Sequence, residues 1–218
     1  LSSLPSDPKI VSIYLTHLSK NSKISTIRRR LVSISMVHKL KGHYLDTKHP
    51  IITENLLGIK RVKGSIQKGK KPILINHLKS IVNVIDEQKC EEIKKLRDKS
   101  IILIGFGGGF RRTELISIDH EDLEFVAEGL KINIRKSKTD QLGEGMMKGL
   151  PYFSNEIYCP VTTLKKWLEV SKIKSGPIFR RFSKGSLLTE KRLTDQSVVL
   201  LMKEYLNLAG IENKNFAG

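Results

Sequence analysis

Residues 63–72, Lys-Gly-Ser-Ile-Gln-Lys-Gly-Lys-Lys-Pro, interrupt two long runs of helical periodicity. The segment is polar, basic and glycine-containing, and it ends in proline. It has no apolar face to bury and reads as an inter-domain linker. A chain of 218 residues can bury one large core or two small ones. We divide it into a first domain at 1–66, a linker at 67–74 and a second domain at 75–218.

The first domain reads as three helices. Asp7 caps the first, with Pro8 in its first turn and Ile10, Val11, Tyr14, Leu15 and Leu18 as its stripe. The second begins near Ser25-Thr26, carries Ile27, Leu31, Ile34 and Val37 or Leu40 at helical spacing, and stops at Gly42. His49-Pro50 ends a loop, and Thr53 caps the third helix, with Leu56, Leu57, Ile59 and Val62 apolar.

Charge in this half is lopsided. Residues 1–75 hold 15 Lys and Arg against 3 Asp and Glu, a net +12. Residues 76–218 hold 24 against 19, a net +5. Such a concentration points to a polyanionic partner, nucleic acid before membrane. Arg28, Arg29 and Arg30 fan over roughly 200° of the second helix, so at least one points away from its apolar stripe. DNA phosphates are their natural ligands, with a base contact in a groove open to them. A solvated basic face is the alternative. Lys60, Arg61 and Lys63, with Lys68, Lys70 and Lys71 of the linker, extend the basic set along a DNA backbone. We read His38, His43 and His49 as solvated or phosphate-adjacent.

The second domain opens with helices at 76–90, capped by Asn76, and 91–104. Then comes Gly105-Phe-Gly-Gly-Gly-Phe-Arg-Arg-Thr-Glu-Leu-Ile-Ser-Ile118. Three consecutive glycines break the helix, because glycine adopts positive φ at no steric cost. Arg111 then stands at or near the start of a new helix, with Glu114 one turn on, on the same face. A guanidinium so held can grip a phosphate through two parallel hydrogen bonds while the carboxylate fixes its orientation. Taken alone, these residues also read as a helix–turn–helix with an ordinary surface ion pair. The period then changes to two. Leu130, Ile132 and Ile134 alternate with Lys131, Asn133 and Arg135 as a strand, and Met146–Leu150 returns from a turn bearing Lys138 at its tip. Pro160 starts another helix, with Trp167 in its stripe. Pro177–Arg181 is extended, and Thr194 or Asp195 caps a last helix closed by Gly210. The fold class is mainly α with a small antiparallel sheet.

Several functions are excluded. A P-loop needs Gly-Lys-Ser/Thr where this chain has Phe110-Arg111-Arg112, and G-x-G-x-x-G fails from both Gly105 and Gly107. Cys90 and Cys159 are far apart and no histidine pair has zinc spacing, so neither a metal site nor a disulfide framework is indicated. No run reaches the roughly 18 apolar residues of a spanning helix. A reducing cytoplasm, in association with the nucleoid, is the simplest location.

Together these features resemble the tyrosine recombinases, the phage-integrase-like enzymes that cut and rejoin DNA. Leu4-Pro5-Ser6-Asp7-Pro8 followed by Ser25–Leu31 is similar to the family's core-binding domain. Gly109-Phe110-Arg111-Arg112-Thr113-Glu114-Leu115 is similar to its first arginine box, and Arg135–Gln141 to its β-hairpin lysine motif. Cys159-Pro160, Trp167-Leu168 and Pro177-Ile178-Phe179 resemble later landmarks in the same order.

The resemblance implies an all-α, SAM-like core-binding domain followed by a partial α+β catalytic domain. Arg111 would bind the scissile phosphate, Glu114 would order that site, and Lys138 would protonate the leaving 5′ oxygen. Arg112 and Lys136 would join the DNA-binding set. The partner would be double-stranded DNA, with a homotetramer on two sites for the full-length protein. No metal or cofactor would be needed, since a tyrosine nucleophile keeps the bond energy as a 3′-phosphotyrosine. The family next places a His-x-x-Arg box and then that tyrosine. This sequence stops at Gly218, where the box is expected, and none of Tyr14, Tyr44, Tyr152, Tyr158 or Tyr205 stands in the nucleophile's place. The expectation is a parent recombinase, of which these 218 residues bind DNA without cleaving it. A non-catalytic DNA-binding relative is the alternative, and a type IB topoisomerase-like enzyme a third reading.

Overall fold

A computed structural model describes residues 3–64, 69, 71–135, 145–212 and 216. The chain divides into two compact units, Leu1–Gly69 and Lys70–Gly218. Each has its own apolar core.

The first unit consists of α1 (Pro8–Ser19), α2 (Ile24–Leu40) and α3 (Pro50–Lys63). Val11, Leu15, Ile27, Leu31, Ile52 and Ile59 meet at its centre. Asp7 caps α1 by accepting the Ile10 N–H at 2.9 Å. Helix α3 begins a turn earlier than Thr53. Pro50 takes its first position, where a missing N–H costs nothing, and the His49 ring accepts the Ile51 N–H at 3.2 Å. His38 is not solvated. It is 2% exposed. Its Nε2 accepts the Ser6 N–H at 2.9 Å and its Nδ1 donates to the Ile34 carbonyl at 2.8 Å.

The second unit opens with α4 (Ile75–Glu87) and α5 (Glu92–Gly107). No Asn76 cap forms. The helix starts at Ile75, and the Leu74 N–H donates to the His77 ring. Helix α5 runs on through Gly105 to Gly107, beyond the expected break. Ile101–Ile104 are all buried in its middle, and it packs on α4, α7 (Pro160–Ser171) and α8 (Asp195–Leu208). A Cβ at Gly105 would lie 3.1 Å from the Leu115 side chain, a contact tight enough that the leucine would have to shift by a few tenths of an ångström. The chain turns into the short α6 (Arg112–Ser117) and then a three-stranded antiparallel sheet of β1 (Leu123–Val126), β2 (Gly129–Ile134) and β3 (Met146–Pro151), in that order.

Gly129, at φ +157°, begins the middle strand. A Cβ there would come within 2.0 Å of the Leu150 carbonyl oxygen. A second hairpin, β4 (Arg180–Phe182) with β5 (Leu188–Arg192), extends the stretch expected after Pro177. Thr194 caps α8. The Cys159 sulfur accepts the Thr162 N–H at the start of α7, and Trp167 is buried with its indole N–H on the Ile178 carbonyl at 2.9 Å.

One buried polar cluster ties three elements of this unit together. Arg97 and Asp98 of α5 pair at 2.6 Å. Arg97 also donates to the Arg180 carbonyl and lies 4.5 Å from the Phe182 ring centre. The Tyr205 hydroxyl of α8 donates to Asp98 at 2.9 Å. Burial, and then the Asp98 carboxylate beside it, push the Tyr205 phenol well above its ordinary value. The native state therefore keeps a proton that the unfolded chain releases above about pH 10. The phenol's stabilisation is fully present below that pH and is lost as pH rises further. Between about pH 10 and 11.5, unfolding free energy should fall more steeply in the wild type than in Tyr205→Phe. Equal slopes would rule the phenol out as the source.

Candidate active site and nucleic-acid interface

Helix α5 ends in a glycine turn. The Gly108 N–H still reaches the Ile104 carbonyl, Gly109 takes φ +55°, and the Phe110 N–H returns to the Gly105 carbonyl at 3.1 Å. Arg111 follows as the N-terminal cap residue of α6, in extended conformation. Glu114 holds it at both ends. One carboxylate oxygen accepts the Arg111 backbone N–H at 3.0 Å, and the other pairs with Nη1 of its guanidinium at 2.6 Å. Glu114 is 4% exposed, whereas the Arg111 side chain is 48% exposed. A buried carboxylate thus orients a solvent-facing guanidinium, a group whose fork matches phosphate.

Lys138 and Lys136 lie outside the described residues, as do Lys68 and Lys70. The strands on either side of residues 136–144 are paired, with Ile134 opposite Met146. At the end of β2, Arg135 binds Asp122 at 2.7 Å and Asp119 at 3.2 Å. The Asp122 hydrogen bond, with its charge, raises the Arg135 guanidinium further above its ordinary value. Asp119 also pairs with Arg192 of β5, which donates in turn to the Ile116 carbonyl at the end of α6. Arg135 and Arg192 therefore share Asp119 and join the sheet to the arginine helix.

Arg28, Arg29 and Arg30 are all exposed on α2, between the buried Ile27 and Leu31. Lys60 and Arg61 are exposed near the end of α3. Lys63 has a structural task as well, since its ammonium donates to the Lys20 and Ser22 carbonyls beyond α1. Lys71 is exposed and bridges in parallel to Phe216. Arg112 is exposed and lines an apolar cleft of about 220 Å³ with Phe106, Phe110, Leu115 and Met202.

The tyrosines of the second unit are engaged elsewhere. Tyr158 donates to Asn83 at 3.0 Å, Tyr152 bonds Lys165, and Tyr205 is buried on Asp98. Among the described residues no group of three or more His, Cys, Asp or Glu could hold a metal, and no helix is long and apolar enough to cross a membrane.

No family model matches the chain. In sequence and fold together, it is similar to the tyrosine recombinases, the phage-integrase-like family. It is similar to the integrase/recombinase XerD homolog of Selenomonas ruminantium, with 38% identity across 99% of this chain and 63% of that relative's length. Among solved structures it resembles XerH site-specific recombinase bound to its palindromic difH substrate in a post-cleavage complex. That match has a TM-score of 0.65 at 16% identity, over 97% of this chain and 58% of the other. It also resembles lambda integrase bound to DNA, with a TM-score of 0.57 at 16% identity over 97% and 66%. A lambda integrase tetramer bound to a Holliday junction gives 0.56 at 14% over 95% and 54%.

Lys148, which contacts the turn before Arg111, and Asp119 and Arg192, which pair beside the end of α6, were missed by sequence reasoning. Lys148 had a usable signal, as it falls on the same face of its strand as Leu150. Asp119 and Arg192 meet across 73 positions, and no local pattern carries that pairing.

Proposed function

We propose that this chain is part of a site-specific DNA recombinase that breaks and rejoins strands through a 3′-phosphotyrosine. The observation that carries the reading is Arg111, presented to solvent at the head of α6 by a buried Glu114. Transesterification at a phosphodiester needs an in-line attack, stabilisation of the extra negative charge and protonation of the leaving oxygen. Arg111 suits the second task. Lys138 is assigned the third, as general acid, with Lys136 and Arg112 on nearby phosphates.

The first unit acts as the core-binding module, with Arg28, Arg29 and Arg30 on the duplex and Lys60, Arg61, Lys63 and Lys68 along its backbone, continued by Lys70 and Lys71 at the start of the second unit. The second unit is the catalytic module. These 218 residues bind DNA, and the nucleophile is not among their tyrosines, as the buried Tyr205 illustrates. The complete protein works as a tetramer on two sites, a reading supported by its likeness to a lambda integrase tetramer bound to a Holliday junction. No metal or cofactor takes part in this scheme.

DNA binding against salt tests the interface. The logarithm of the binding constant should fall by about 0.9 per neutralised phosphate for each unit of log salt concentration. Replacing Arg28, Arg29 and Arg30 together should weaken binding and lower that slope by about 1–3. A salt-independent constant would remove DNA as the partner.

A further inference from the structure

Lys148 occupies a strand position that should be apolar. Directly opposed residues of antiparallel strands share a face. Lys148 opposes Ile132, and the next pair on that face is Leu150 with Leu130. Ile132, Leu150 and Leu130 are all buried. Lys148 itself is half-buried, so its ammonium gives up part of its hydration, and polar groups have to replace that water.

Its replacements all come from one place. Nζ donates to the Gly108 carbonyl at 2.8 Å and to the Gly109 carbonyl at 3.2 Å. It also stands 4.4 Å from the centre of the Phe110 ring. These are the three residues immediately before Arg111. The two carbonyls close the C-terminal end of α5, where the helix dipole favours a cation. Glycines give this turn little stiffness of its own. Glu114 fixes the far side of the turn through the Arg111 N–H, and Lys148 fixes the near side through the glycine carbonyls. The strand that supplies Lys148 follows residues 136–144, which include Lys138.

We propose that Lys148 is a positioning residue for Arg111: it pins the glycine turn to β3, so that the guanidinium meets the phosphate already in place. This rests on the recombinase function proposed above.

The test uses the full-length protein on its own site, recovered by selecting bound duplexes from random sequence. Covalent cleavage is followed in single turnover at saturating DNA. Two duplexes differ only in the 5′-bridging atom of the scissile phosphate, oxygen or sulfur. A thiolate leaves without a proton donor, because its conjugate acid is far stronger than an alcohol. Lys148→Met should slow cleavage about 10- to 100-fold on both duplexes, the scale of a small misplacement. DNA affinity should stay within about threefold, since no phosphate contact is lost. Lys148→Arg should recover part of the rate. In an Arg111→Ala background, Lys148→Met should cost little more, because both act through one group.

A wild-type rate in Lys148→Met overturns the inference. So does rescue by sulfur, or a full additive loss on top of Arg111→Ala. Hydrogen exchange at the Phe110 amide gives a readout free of the reaction, and it should accelerate at least about tenfold in Lys148→Met. Unchanged exchange overturns the inference whatever the reaction is. A wild-type protein that forms no covalent adduct, combined with accelerated exchange in the variant, counts against the recombinase reading and leaves the pinned turn standing.

Discussion

Arg111→Ala, in the full-length protein on its own DNA site, is expected to lower the rate of covalent strand cleavage by about 10³-fold or more. The phosphodiester gains charge as the nucleophile enters, and a guanidinium oriented beforehand stabilises that charge without reorganising at the moment of reaction. Glu114 supplies the orientation: it is buried, and it binds both the backbone and the side chain of the arginine. Lysine would keep the positive charge but lose the planar fork, so Arg111→Lys should recover only a small part of the rate. Glu114→Gln should fall between the two, since an amide can still accept the Arg111 N–H but no longer attracts the guanidinium. Duplex affinity should change by less than about threefold in Arg111→Ala, because one phosphate contact among many is removed. Cleavage within tenfold of wild type would show that the phosphate lies elsewhere.

Asp98→Ala is expected to be the most damaging substitution for the stability of the second unit, at about 3–5 kcal/mol. Arg97 is 7% exposed and Asp98 2%. Without the carboxylate, Arg97 keeps, among the described residues, only the Arg180 carbonyl and the Phe182 ring. Tyr205, also 2% exposed, loses its acceptor. Most of the cost is that of a buried cation left uncompensated. Asp98→Asn keeps an acceptor for Tyr205 and should cost less. Trp167 is the chain's single tryptophan and is fully buried in this unit, so its fluorescence reports unfolding here and not in the first unit. A loss below about 1 kcal/mol would mean that water reaches Arg97 once the carboxylate is gone.

Much of this fold was legible because it is written in short-range periodicity. The stripes of α1 and α2, the alternation Leu130-Ile132-Ile134 and the Pro160 start of α7 each announce an element within a few residues. Arg111 and Glu114 were legible for the same reason, lying one helical turn apart. The helix starts were less legible, because the chain uses caps that sequence rules rank low: the ring of His49 before Pro50, and the ring of His77 after Leu74. His38 looked like a surface histidine because its partners are backbone groups, one of them 32 residues away. The β4–β5 hairpin and the Asp119–Arg192 pair arise only once distant segments have packed. Lys148 lay between these cases. Its strand was anticipated, but its role depends on a facing turn that strand alternation does not mention.

The crowding at Gly129 bears on how faithfully Lys148 is delivered. A strand that slipped by one residue would turn Met147 inward and Lys148 out to solvent. Leu150, buried opposite Leu130, holds that alternation. Gly129 lets the two strands close tightly at their far end, where the backbone of Leu150 and Pro151 leaves no room for a methyl group. Any side chain at 129 would prise the hairpin open there and loosen, further along, the reach of Lys148 to the arginine turn.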